Sequence, residues 1–81
     1  MNSARPRKKV DTSTYTGRFA VRLKTLREKA GLSVEQLAEK SGIPVQTLYK
    51  WESGQAAPAI DRFLELAEAL KIKTRTLLPD E

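Results

Sequence analysis

Residues 34–53 read VEQLAEKSGIPVQTLYKWES, and this stretch carries the pattern of two short helices joined by a sharp turn centred on one glycine. Ala38 and Gly42 lie four residues apart. At that spacing the first helix needs a small residue where the second crosses it, and the turn needs a residue that tolerates positive φ without steric cost. Leu37, Ile43, Leu48 and Trp51 supply inward-facing apolar positions that hold the two helices at a fixed angle. A lone glycine between helices carries little weight. Small residue, turn glycine and apolar anchors at these offsets carry much more, although any crossed helix pair shares some of the same features.

Working outward, the charge is placed where such a pair would meet a polyanion. The net charge is +5 and the isoelectric point is near 9.8, which in so small a domain suggests an anionic partner. Residues 1–16 carry Arg5, Arg7, Lys8 and Lys9 against Asp11. Residues 17–54 carry Arg18, Arg22, Lys24, Arg27, Lys29, Lys40 and Lys50 against Glu28, Glu35, Glu39 and Glu52, and the remainder is slightly acidic. A crossed helix pair inside a positive field is the arrangement that sets its second helix in the major groove of DNA.

The length, 81 residues, predicts one domain near the lower limit of what a hydrophobic core supports without staples. Without cysteine or histidine, neither disulfides nor the usual transition-metal ligands are expected. No cofactor is implied. The longest apolar runs are a few residues, and the N-terminal basic cluster has no apolar segment behind it, so neither a signal peptide nor a membrane span is expected. The cytoplasm is the expected compartment.

The pattern predicts an all-α domain of five helices with no strand. Residues 1–16 are polar and basic, with Pro6 and an Asp-Thr-Ser-Thr run, and are expected to form a flexible arm. A first helix runs from about Gly17 to Ala30 on the spacing of Phe19, Leu23, Leu26 and Ala30, and Gly31 stops it. Ser33 and Gln36 form a capping-box spacing that opens a second helix, 33–41. A third, 44–53, begins at Pro44, where a missing N–H costs nothing, and ends before Gly54. Ile60, Phe63, Leu64, Ala67 and Leu70 repeat with helical spacing over about 59–70, and Ile72, Leu77 and Leu78 suggest a short fifth helix, leaving 79–81 as a tail.

From about Gly17 to Leu78, LREKAGLSVEQLAEKSGIPVQTLYKWESGQAAPAIDRFLELAEALKI and its flanks resemble the Cro and lambda-repressor-like, or XRE-type, helix-turn-helix DNA-binding domains. The resemblance implies a second helix lying across the DNA backbone and a third in the major groove, in a domain that acts as a dimer on a pseudo-palindromic operator. It also implies that Arg27 and Glu52 stand opposite each other, fixing the tilt of the third helix; the plain alternative is two independent surface charges. The sequence departs from the family at Val34, where a phosphate-reaching Gln is common, and at Gln55-Ala56-Ala57, where a basic residue is common.

Helical geometry selects the reading residues separately. At about 100° per residue, Leu48 and Trp51 mark the buried side of the third helix, and Gln46, Lys50 and Ser53 mark the opposite side, with Val45 and Tyr49 flanking. The resemblance points to Val45, Gln46 and Lys50. Gln can pair with adenine, Lys can donate to guanine, and a valine methyl can pack on thymine. Base contacts are therefore expected from Val45, Gln46, Tyr49 and Lys50, and phosphate contacts from Ser33, Lys40, Thr47, Ser53, Gln55 and the arm. Trp51 is expected in the core, not stacked on a base.

The apolar arc of the fourth helix spans roughly 160°, more than the ~100° that one core requires. Phe63, Leu66, Leu70, Leu77 and Leu78 are thus candidates for a dimer seam, and a fifth helix folded back over the fourth explains the excess equally well. An enzyme is not expected: no catalytic His or Cys and no phosphate-cradling loop is present, and the acidic residues sit at helix-surface spacing. The expected function is a sequence-specific transcriptional regulator, most simply a small repressor of double-stranded DNA targets. An antitoxin-like or other protein-interaction module on the same fold is the alternative.

Overall fold

The computed structural model describes residues 10–79; Arg5, Arg7, Lys8 and Lys9 lie outside the described residues. Five helices follow in order: α1 (Tyr15–Lys29), α2 (Val34–Ser41), α3 (Val45–Glu52), α4 (Ile60–Leu70) and the single turn α5 (Thr74–Leu77). α1 packs on α3 and α5, α2 packs on α3 and α4, and α4 packs on α5. The fold is all-α, and no strand occurs among the described residues.

α1 begins at Tyr15 rather than Gly17, which corrects the expected limit of the arm. The Asp-Thr-Ser-Thr run is the reason. Asp11 accepts the Ser13 amide at 3.0 Å and the Ser13 hydroxyl at 2.6 Å, making a local turn. Thr14 is the N-cap, its hydroxyl oxygen accepting the Gly17 amide at 3.0 Å. The Ser13 hydroxyl, followed by its amide, holds the Asp11 carboxyl below the usual range. Polar residues that look like loose chain in the sequence therefore build a helix start.

This segment also packs. Gly17 is buried, and a Cβ there would lie 1.8 Å from the Asp11 carbonyl oxygen. Val10 lies beside Gly54, its Cγ1 3.4 Å from where a Cβ on that glycine would be. Residues 10–14 thus form a strap over the start of α1, reaching the loop that follows α3.

α2 opens on a complete capping box. The Ser33 hydroxyl oxygen accepts the Gln36 amide at 3.0 Å, and the Gln36 side-chain oxygen accepts the Ser33 amide at 2.8 Å. It closes at Gly42, whose φ of 77° is the left-handed turn that residues with a Cβ resist. Pro44 precedes α3 instead of starting it: its backbone is extended, and its carbonyl accepts the Thr47 and Leu48 amides.

The core joins Phe19 and Leu23 of α1, Leu37 of α2, Ile43 of the turn, Leu48 and Trp51 of α3, and the inner face of α4. Phe19 and Phe63 rings meet at 5.7 Å between centroids. Here the expected seam needs correction. Phe63, Leu66, Leu70 and Leu77 are buried, with Leu66 and Leu77 at 0 % exposure, because α5 folds back over α4 and against α1. Arg22 of α1 secures that turn through its Nε, which donates to the Thr76 carbonyl at 2.8 Å. Of the five candidates only Leu78 stays exposed. Ile60 and Leu64, which share the helical spacing of the buried residues, sit at one edge of the apolar arc at 68 % and 50 % exposure. Among the described residues no helix is long and apolar enough to cross a membrane.

Candidate nucleic-acid interface

α3 presents one apolar and one polar side. Leu48 and Trp51 are buried, whereas Gln46 and Lys50 are exposed and take no side-chain hydrogen bond or ion pair among the described residues. Thr47 is half-buried. Val45 is also half-buried and packs on the core, so only part of its side chain remains for a thymine methyl. Past the helix end, Ser53 donates to the Lys50 carbonyl at 3.0 Å and accepts from the Gln55 side-chain amide at 2.9 Å. Both Ser53 and Gln55 are therefore partly committed to closing α3, and Gln55 keeps its carbonyl oxygen and one N–H.

The tilt of α3 is held from α1. Arg27 donates from Nε and a terminal nitrogen to both carboxylate oxygens of Glu52, at 2.6 and 3.0 Å, and from its other terminal nitrogen to the Leu32 carbonyl at 2.7 Å. The two side chains are only 10 % and 9 % exposed. One planar guanidinium thus joins α1, the loop before α2 and the last residue of α3 in a forked, charge-assisted arrangement. The hydrogen bond to Glu52 raises the Arg27 pKa further above its already high value. The Leu32 contact was not visible in the sequence, since carbonyl acceptors leave no residue-type signature.

A second contact crosses from α3 to α2 in the open. The Tyr49 hydroxyl donates to Glu35 Oε2 at 2.9 Å. Tyr49 is 49 % exposed. Glu35, in the first turn of α2, has its carboxyl held below the usual range, first by its own backbone amide and then by the Tyr49 hydroxyl. The same bond raises the Tyr49 pKa. Sequence reasoning treated Glu35 as one of several solvated acids. Nothing in a fourteen-residue separation pairs it with Tyr49 until the helices are crossed.

The remaining candidates divide. Ser33 stands at the N-terminus of α2 with its oxygen engaged in the cap, and, after the Glu35 backbone amide and the Tyr49 hydroxyl, its side chain also helps to hold the Glu35 carboxyl below the usual range. Lys40 is placed elsewhere: it lines a shallow hollow with Ser41, Glu65, Glu68, Ala69 and Lys71, against α4. Arg18 and Arg22, counted as part of the positive field, line another hollow with Thr12, Val21, Thr25 and Pro79, and Arg22 is committed to Thr76. Lys50 supplies a positive charge on the polar side of α3 itself. Val34, where a phosphate-reaching residue is common in the family it resembles, is buried in the core.

Comparison with known proteins agrees with this geometry. Residues 23–77 match the family model HTH_3, described as helix-turn-helix. A relative, "Putative HTH-type transcriptional regulatory protein MJ1164" of Methanocaldococcus jannaschii, is 40 % identical over 50 residues, which is 62 % of this chain and 16 % of that protein. The chain therefore spans about a sixth of that relative's length. Among solved structures, the restriction-modification controller protein C.AhdI from Aeromonas hydrophila superposes with a TM-score of 0.73 at 39 % identity, covering 75 % of this chain and 92 % of that one. An HTH_3 family transcriptional regulator from Vibrio cholerae superposes with a TM-score of 0.75 at 27 % identity, covering 78 % and 35 % of the two chains.

Proposed function

The chain belongs to the HTH_3 helix-turn-helix family, and from that premise we propose that it is a sequence-specific DNA-binding regulator, most simply a small cytoplasmic repressor, which binds without catalysing a reaction. Gln46 and Lys50 read base edges from the major groove, with Tyr49 and the exposed part of Val45 beside them. Ser33, Thr47, Ser53, Gln55 and the basic residues Arg5, Arg7, Lys8 and Lys9 hold phosphates. The observation that carries the reading is the division of α3. Its apolar side is locked into the core and its tilt is fixed by Arg27 and Glu52, while its polar side offers a Gln and a Lys with no intramolecular partner among the described residues.

A single α3 contacts few base pairs, so discrimination among genomic sites favours a symmetric dimer with recognition helices roughly 34 Å apart. With Leu66 and Leu77 in the core, the seam moves to Ile60, Leu78 and Tyr15, which remain exposed around a shallow apolar hollow bounded by Pro58 and Phe63, and to Leu64, exposed one turn along α4 from Ile60. The same patch supports the second reading, a module that binds another polypeptide in an antitoxin-like role.

The experiment is selection of duplexes from a random library, followed by fluorescence anisotropy on the selected and a scrambled duplex. Gln46→Ala and Lys50→Ala each cost about 1–3 kcal/mol on the selected site with helicity unchanged. Equal weakening on both duplexes contradicts base reading and assigns these residues to phosphate.

A further inference from the structure

The bond between Tyr49 and Glu35 lies on the same surface as Gln46 and Lys50, and the reading proposed above gives Glu35 no task. Its position is costly for a protein that grips a polyanion. A carboxylate in the first turn of the helix expected to cross the DNA backbone repels phosphate, where a lysine would attract it. Helix stability explains an acid there, since a negative charge near a helix N-terminus is favourable. It does not explain why the carboxylate takes the hydroxyl of a flanking residue on the reading helix.

An exposed tyrosine on a helix ordinarily samples more than one staggered rotamer. Here the hydroxyl is fixed at 2.9 Å from an acceptor that is itself restrained. Glu35 follows directly on the Ser33 cap, in a turn whose capping box is satisfied in both directions. The ring therefore leans from α3 toward the start of α2 instead of swinging over Gln46 or Lys50. Val45, one turn earlier on the same side of α3, packs on the core and leaves that wall firm.

We propose that Glu35 is a positioning residue for base selection: by accepting the Tyr49 hydroxyl it fixes the phenol ring as one wall of the reading surface, so that the base pairs beneath Tyr49 are chosen through a residue of α2 that itself touches no base. This rests on the DNA-reading function proposed above. The arrangement exchanges some phosphate attraction for a defined side-chain orientation. Base contacts, not phosphate contacts, carry sequence information.

Three substitutions separate orientation from charge. Glu35→Gln keeps an oxygen acceptor and removes the negative charge, Glu35→Ala removes both, and Tyr49→Phe removes the donor while keeping ring and charge. Each protein and the unaltered chain are taken through selection from a random duplex library, with the base preference at every position read by sequencing. In the unaltered protein and in Glu35→Gln the preference beneath Tyr49 is expected to be the same, while Glu35→Gln binds all duplexes several-fold more tightly. In Glu35→Ala and Tyr49→Phe that preference is expected to fall about three- to tenfold, with the pairs read by Gln46 and Lys50 unchanged. A merely structural bond shifts thermal stability and leaves the preference profile alone.

If the unaltered protein is selective and both Glu35→Ala and Tyr49→Phe reproduce its profile, the inference is overturned and the regulator reading stands. If the unaltered protein shows no preference on any duplex, both fall together. Should Glu35→Ala lose helicity, Tyr49→Phe decides alone, because it removes one hydroxyl from a half-exposed side chain.

Discussion

Beyond the core packing of Leu48 and Trp51, two side-chain hydrogen-bonded contacts tie α3 to its neighbouring helices among the described residues, and they are built oppositely. Arg27 and Glu52 form a forked ion pair between α1 and the last residue of α3, with both side chains about nine-tenths buried and a third bond to the Leu32 carbonyl. Tyr49 and Glu35 form a single bond between the middle of α3 and the first turn of α2, exposed to water. The first can be broken only by leaving a buried charge without its counterion. Breaking the second leaves no buried charge unpaired, so its loss changes the orientation of the ring more than the stability of the fold. The contrast separates what holds the reading helix from what tunes it.

The largest effect is expected from breaking the buried tether. Arg27→Ala leaves the Glu52 carboxylate enclosed without a partner and frees the Leu32 carbonyl, a loss of about 3 kcal/mol or more in urea unfolding. A loss under about 1 kcal/mol, the size typical of exposed pairs, would put both tethers in the same class and erase the comparison.

A smaller effect is expected where the 10–14 strap crosses α1. Gly17→Ala places a methyl against the Asp11 carbonyl; overpacking of this kind costs about 1–3 kcal/mol, offset by about 1 kcal/mol of better helix propensity. The expected outcome is a net loss near 1 kcal/mol, with faster amide exchange at residues 12–14 and unchanged exchange in α3. A stabilised Gly17→Ala protein would show that the strap yields freely.

The smallest effect is a matter of pH, and it belongs to the exposed tether, whose two partners shift in opposite directions. Glu35 has a lowered pKa in the folded protein, so its contribution is present above the ordinary carboxylate value and is lost as pH falls through the lowered one. Tyr49 has a raised pKa, so its contribution is complete below the ordinary phenol value and is lost as pH rises through the raised one. The exposed tether is thus intact between roughly pH 4.3 and 10. Carbon-detected NMR titration is expected to place the Glu35 carboxyl below its ordinary range, and to move it upward in Tyr49→Phe by the part that the hydroxyl supplies. An unchanged titration would mean that the hydroxyl supplies none of the lowering.

Much of this was legible in the sequence, for identifiable reasons. The turn glycine, the capping box and the inward spacing of Leu37, Leu48 and Trp51 are local signals, and with the apolar spacing of the flanking segments they predicted the five helices found among the described residues. The strap was missed because Asp-Thr-Ser-Thr was read by polarity. Its cap and turn depend on which atoms pair, and its packing depends on two glycines that approach only after folding. The face of α4 was left open between a dimer seam and a cover by α5, because a wide apolar arc does not say what will cover it, and the structure shows α5 packed on it. Leu66 and Leu77 went inward, while Ile60 and Leu64 were left outside. Lys40 was assigned to phosphate by charge, and the structure sets it in the wall of a hollow that Glu65 and Glu68 also line. Pairings across elements, such as Tyr49 with Glu35, have no periodicity to reveal them.

The central claim is that the polar side of a clamped α3 meets DNA, and the most direct test is amide and side-chain NMR of the labelled protein titrated with a selected duplex. The account predicts that the largest shift changes fall on Gln46, Tyr49 and Lys50 and on the Ser33 amide, with the Arg27 guanidinium signal unmoved. Changes confined to Tyr15, Ile60, Leu64 and Leu78, with α3 silent, would contradict it and assign the molecule's binding surface to that apolar patch.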